Sequence, residues 1–419
     1  MISRKFSPTA AVKLLLILCL ILGISSSAAI SAQDKPNSFA AERERAIQMI
    51  NEGKFVESLP LFEKLAAAKE ADGDVFFGLG IGLLHKADQA KDAAARKEGR
   101  VKARNALLKA KEFGLRNPQL DSLLSQIKPD GGERGKSDDP KANEAMNEAF
   151  AAFAGKNYLK AAELYEKAAR LDPTLYEAAL YTGNSFYGAK EHEKAGIWFA
   201  KAIALDQNRE TAHRYWGDSL MVSGKTEEAK NKFFDAIVAE PYNQMAWRGL
   251  IQFAQINKLT LAHPKIEIPT GISSNEKGDQ TTITLDPSVL KDSKDGSAAW
   301  MMYGISRAAW RTSEFSKKFP NEKTYRHSLA EEAAALKSVL EAVKNQSKDI
   351  KQLNPSLKLL QEINNAGLLE AYILLARPNA GISRDYDAFR QNNRDKLKRY
   401  LTDFLILEKA ASNEKKAVS

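Results

Sequence analysis

The sequence predicts a mainly α-helical protein: an α-α superhelical solenoid, a short β-hairpin insertion, then a C-terminal helical domain. Three observations predict it. First, residue types recur at a 34-residue step. Ala161, Ala195 and Ala229 keep it, as do Tyr165, Phe199 and Phe233; Ala168, Ala202 and Ala236; and Pro173, Gln207 and Pro241. Gly183 and Gly217 share the step, and small residues and aromatics at a fixed period mark helical repeats. Second, residues 265–268 and 281–285 alternate apolar and polar, the period of half-buried strands. Third, helical periodicity returns after Gly296.

The N-terminus, residues 1–32, reads as a secretory signal. Arg4, Lys5 and Lys13 precede an apolar run over 14–24, and small residues follow up to Ala32. Cleavage after Ala32 is the first expectation, after Ala28 or Ala29 the second. The run is short of the ~20 residues that a membrane span needs, which disfavours an uncleaved anchor. Cys19 is the sole cysteine. Leu18 precedes it where lipid modification wants a small residue, so it is expected to leave with the signal. The processed chain then has no disulfide, thiolate or cysteine-bound metal. The expected compartment is periplasmic or extracellular.

The net charge is +9. Basic and acidic residues are interspersed, as in Lys225, Glu227, Glu228 and Lys230, which predicts solvated helix faces. No concentrated basic stripe of a nucleic-acid binder is present.

Residues 38–126 predict two degenerate helix pairs. Ala46, Met49 and Ile50 begin the first; Gly53 turns into Leu59, Phe62 and Leu65. Phe77, Gly80 and Leu83, then Ala103, Leu107 and Ala110, make the second, with 86–102 expected to stay helical. Residues 127–140 are a linker by composition. Residues 141–258 hold the repeats, each with a turn holding Gly155, Gly188 or Gly224. Trp247 and Leu250 begin a fourth first helix that no partner helix follows. Residues 259–295 are the strand-containing insertion, with strands at 265–268 and 281–285 joined by a loop over 270–280. Residues 296–410 predict four helices: one through Trp300, Tyr303 and Trp310 to Pro320; then 327–343; 357–376; and 385–407. Residues 411–419 read as a loose tail.

The residues of 142–241 resemble the tetratricopeptide repeat (TPR) family, more weakly over 40–118 and not after about 258. The resemblance implies that first helices line a concave groove that binds a protein or peptide. In that register Met146, Phe150 and Phe153 face it from the first clear unit, and Leu180, Asn184 and Tyr187 from the second. Arg214, Asp218 and Met221 follow from the third, and Arg248 and Gln252 from the partial fourth. The charged three are the more telling, because a core would not want them; solvated surface charge is the alternative. Phe150 and Phe153 fit burial as well as ligand contact. Chaperone-binding members clamp a terminal carboxylate. Asn184 fits that clamp, but Leu180 stands where a lysine is expected and Tyr215 where an asparagine is.

No catalytic residue, metal set or cofactor is predicted. Gly131 to Ser137 imitates a phosphate loop, but the first glycine position is Asp130 and no strand precedes it. Gly78, Gly80 and Gly82 suit helix contact better than a dinucleotide fold. His327 and Glu331, four apart, read as a helix-stabilising pair. The cluster of Trp300, Met301, Met302, Tyr303, Trp310 and Arg311 fits either a domain core or an aromatic-lined pocket. Arg377, Arg384 and Asp385 mark a loop that holds an acidic group or ties the last helices together. The leading expectation is therefore a non-enzymatic scaffold. The alternative is an enzyme or ligand-binding protein that acts through its C-terminal half, and a third is a subunit of a peripheral envelope complex.

Overall fold

A computed structural model describes residues 38–115, 117–274, 281–287, 293–320, 322, 324–346 and 352–409. The expected signal with Cys19, the tail over 411–419, and most of the 270–280 loop lie outside them. Five helices open the chain: α1 (Ser38–Asn51), α2 (Leu59–Ala66), α3 (Gly73–Asp88), α4 (Ala93–Glu112) and α5 (Pro118–Gln126). The helix expected through 86–102 is broken. Asp92 caps α4 by accepting from the Ala95 N–H, so the chain turns before Ala93. Phe62 and Leu107 pack against Gly78 and Gly80 of α3, where a Cβ would sit 2.2 and 2.6 Å from their side chains. That close approach is what these glycines provide.

Residues 127–134 form a tight antiparallel turn in which Ile127 bridges Glu133. Gly131 adopts φ 83°, and a Cβ there would meet the Lys97 carbonyl at 2.1 Å, so only glycine fits. Arg134 then reaches Asp206 at 3.0 Å, 72 residues on.

The solenoid follows: α6 (Pro140–Ala154), α7 (Tyr158–Leu171), α8 (Tyr176–Gly188), α9 (His192–Leu205), α10 (Glu210–Val222), α11 (Thr226–Ala239) and α12 (Gln244–Ile256). Its core is the periodic set itself. Ala161, Ala168, Ala195, Ala202, Ala229 and Ala236 are fully buried, with Tyr165, Phe199 and Phe233 nearly so. A Cβ on Gly183 would lie 2.7 Å from the Phe199 ring. One on Gly217 would lie 2.4 Å from the Phe233 ring, and one on Gly249 2.3 Å from that same ring.

The turn inside each helix pair repeats too. Lys156, Lys190, Gly224 and Lys258 hold φ of 61°, 66°, 79° and 54° at the 34-residue step. Each of the first three stands in the left-handed position that closes a helix, with the next residue's N–H returning to Ala152, Phe186 or Leu220. Gly155 lies in its turn as expected and Gly188 ends α8, but the left-handed residues are Lys156 and Lys190 rather than these glycines. The fourth turn is present at Lys258, but a strand follows it in place of a helix.

That strand, β1 (Leu259–Ala262), pairs antiparallel with β4 (Ile406–Lys409) at the far end of the described chain. The hairpin is β2 (Thr270–Ser274) with β3 (Thr281–Leu285), Thr270 opposite Leu285. The first hairpin strand is thus one segment later than 265–268. There the alternation is real, with Ile266 buried, but other groups take the backbone. Ser356 Oγ accepts from the Glu267 N–H, and Arg377 donates to the Ile266 carbonyl.

The C-terminal helices are α13 (Met301–Ala309), α14 (Phe315–Lys318), α15 (Leu329–Asn345), α16 (Pro355–Asn365), α17 (Leu369–Ala376) and α18 (Tyr386–Asp403). A π-helical turn joins α13 to α14 over Trp310–Glu314. The single helix expected over 357–376 splits at Gly367, whose φ of 71° ends α16. The expected helix to 407 stops at Asp403 because the chain turns to form β4. In α17 nearly every side chain is buried, which makes it the central post of this half. One hydrophobic core runs from Phe233, Phe234, Ile237 and Leu250 of the solenoid into Trp300, Leu336, Tyr372 and Leu401. The aromatic cluster is therefore core at Trp300 and Tyr303, while Met301 stays exposed.

Candidate binding face

The first helices α8, α10 and α12 lie side by side, with α10 touching both neighbours. Five Asp, Glu, Lys or Arg residues stand on them: Glu177, Glu210, Arg214, Asp218 and Arg248. Glu177 accepts from Arg209 at 2.7 Å, and that guanidinium lies 3.7 Å over the Tyr176 ring. Arg214 is buried. Its Nε and Nη2 reach Glu210 Oε2 and Oε1 at 2.8 and 3.2 Å. Glu210 in turn accepts from Thr211 Oγ1.

Asp218 sits among Tyr187 of α8, Arg214 of its own helix and Arg248 of α12. Burial raises its carboxyl above the ordinary aspartate value, and the two arginines only partly offset it. Among the described residues neither the Asp218 nor the Arg248 side chain has a hydrogen bond or ion pair within the chain. Asp218 is half-buried and Arg248 exposed. Asn184, Tyr187 and Met221 are half-buried around them, Gln252 is exposed, and Leu180 is buried below. At the front end Phe150 is 67% exposed, whereas Phe153 sets its ring edge-on to Tyr158.

The C-terminal half holds a second concentration of polar groups, which sequence reasoning missed except at its margins. Glu331 and Glu332 are buried at the start of α15. Glu332 accepts from Tyr303 Oη at 2.7 Å, bonds His327 Nε2 at 2.9 Å and accepts from Arg377 Nε at 3.3 Å. Burial pushes the Glu332 carboxyl up, but these partners win and hold it below the ordinary glutamate value. Glu331 takes Arg307 and Tyr325 at 3.0 and 2.7 Å. His327 thus pairs with Glu332 rather than Glu331, and it lies before the helix rather than on it. Arg326 binds Glu322, Asp385 and the Gly381 carbonyl, and Asp385 also accepts from the Leu329 N–H, which ties the loop of Arg377 and Asp385 to the start of α15. Only the pairing of charge types carried a sequence signal, because partners up to 59 residues apart cannot be matched from spacing. One acceptor in the network, Glu331 Oε2, is buried without a hydrogen-bond partner among the described residues. Among the described residues no group of three or more His, Cys, Asp or Glu side chains could hold a metal ion.

Two hollows lie elsewhere. One of about 470 Å³ runs between α15 and α18, lined by Phe319, Leu329, Ala333, Lys337 and Phe389. The other, about 770 Å³, lies between α9 and α11 over Trp216.

No family model and no curated protein matches the chain. Solved structures do. The first TPR of Spaghetti (RPAP3), bound to the HSP90 peptide SRMEEVD, is 23% identical with a TM-score of 0.27, over 29% of this chain and 95% of that one. The Sgt2 TPR domain from Aspergillus fumigatus is 24% identical, TM-score 0.27, over 30% and 85%. YrrB, a TPR protein with an unusual peptide-binding site, is 15% identical, TM-score 0.24, over 51% and 94%. At these values the likeness says nothing of ligand. The TPR-like character of this solenoid stands on its own 34-residue recurrence of packed residues and left-handed turns.

Proposed function

We propose that the chain is an exported, non-catalytic scaffold that binds a segment of a partner protein across the first-helix face of its solenoid. One observation carries the reading: the C-terminal half caps the solenoid without covering that face. Helix α18 engages the second helix α11 and the turns. Tyr386 donates to the Val238 carbonyl at 2.8 Å, Lys398 reaches Asp235 at 2.7 Å, and Arg394 reaches the Gln207 carbonyl at 3.1 Å. Arg248 and Gln252 of α12 stay exposed. A solenoid whose end is sealed and whose inner row is open has the form of a binding surface. Export rests on the basic, apolar and small-residue order of 1–32.

The test is affinity capture with the processed chain and with a form carrying Asp218→Lys and Arg248→Glu. Asp218 is half-buried near Arg214, so the melting temperature of both forms is measured beside capture. The reading predicts a partner held by the first and lost by the second. Equal capture by both would contradict it.

A further inference from the structure

The charges of the first-helix face are sorted in a way that describes the partner. On α8, α10 and α12, three of the five charged side chains are neutralised within the chain: Glu177 by Arg209, and Glu210 with Arg214 by each other. Asp218 and Arg248 are left over, with opposite signs, on adjacent helices. They are near enough to feel each other electrostatically, yet form no ion pair with one another.

We propose that Asp218 and Arg248 read a charge pair on an extended partner segment, Asp218 taking a lysine or arginine side chain and Arg248 an aspartate or glutamate. This rests on the binding face proposed above and names the chemistry it selects. A half-buried carboxylate without a donor has given up part of its hydration, and the charges of Arg214 and Arg248 offset only part of that, so a cationic donor from outside restores what folding removed. Arg248, exposed and unpaired, offers a planar fork that suits a carboxylate in two-point contact. Packed helix axes stand roughly 8–10 Å apart, and an extended chain advances about 3.3 Å per residue. The two charges of the partner therefore fall two or three residues apart. Asn184 and Gln252, on either side, can bond the backbone of such a segment. A uniformly acidic segment would meet Asp218 as a like charge and be rejected, which makes the face selective as well as adhesive.

The probe is a phage-displayed library of random 12-residue peptides, selected on the full-length chain. Wild type is expected to enrich peptides with a basic and an acidic residue two or three apart, in either order, at least fivefold over the input. Asp218→Asn, which keeps the side-chain shape and removes a charge that has no hydrogen-bond donor, is expected to fold and to lose the basic preference. Arg248→Gln loses the acidic one. Binders without this pair, or a selection unchanged by Asp218→Asn, would overturn the inference and leave the binding face standing. A wild-type chain that selects no peptide would overturn both.

Discussion

Arg214 and Glu210 form a two-point ion pair one helical turn apart, buried under the face that α8, α10 and α12 form, where the charges left free are Asp218 and Arg248. Two arginines of one repeat register thus have different duties. Arg214→Ala strands the Glu210 carboxylate and is expected to cost about 2–4 kcal/mol in a urea titration. Arg248→Ala is expected to stay within about 0.5 kcal/mol of wild type. Similar midpoints for both variants would mean that Arg214 is not a structural ion.

The left-handed turns make a second prediction. Lys156 and Lys190 hold φ values that suit glycine, in turns that Gly224 closes with no atom within 4 Å of a would-be Cβ. Replacing either lysine by Gly should raise stability by up to about 1 kcal/mol, and Gly224→Ala should lower it by about 1 kcal/mol. Thermal melts of the three variants would show opposite signs. The same sign in all three would remove the shared turn.

Packing supplies the third. Ala195 and Ala229 are fully buried, and Gly217 stands against the Phe233 ring. Ala195→Leu or Ala229→Leu should cost about 1–3 kcal/mol. Gly217→Ala should also destabilise, although alanine is the better helix former by about 1 kcal/mol. Unchanged melting in all three would contradict the packing register.

How much of this was legible in the sequence differs by distance along the chain. The solenoid was, because its contacts repeat every 34 residues and so print themselves as a period. Even the missing fourth partner helix showed, after Trp247 and Leu250. The turns were legible too, but not which residue goes left-handed in them, since Gly155 and Gly188 look like turn formers and lysines do not. The pairing of β1 with β4 was invisible, and of the Glu331–Glu332 network only single members such as Tyr303, His327 and Arg377 were singled out, because most of its partners are joined by tertiary structure alone. Arg214, Asp218 and Arg248 were found together by register. That one was buried and two were free depended on Glu210, which stands four residues before Arg214 on the same helix and was legible by spacing but not read; only the burial of that pair needed the structure.

Acid is the fourth test. Burial pushes the His263 imidazole down to about 4, where it lies stacked on Tyr400 and 2.9 Å from its hydroxyl. An unfolded histidine titrates near 6.5. Between those values the unfolded chain binds the extra proton, so stability falls as pH falls through this window. The loss from pH 7 to pH 5 should be on the order of 1 kcal/mol for this group after solvent screening. Burial also lowers His213 and His85, which act in the same direction. His263→Gln should therefore reduce the slope of melting temperature against pH without abolishing it. An unaltered slope would show that His263 does not titrate with folding.

The central claim, that the first-helix face holds the partner, is most directly tested by site-specific photo-crosslinking in the native host. A benzophenone amino acid would be placed at Gln252, at Asn184 and, on a second helix, at Lys201. The account predicts one adduct of the same mass from Gln252 and Asn184, absent from Lys201 and lost when Asp218→Lys and Arg248→Glu are added. An adduct from Lys201 alone, or one from Gln252 that survives the charge reversal, would contradict it.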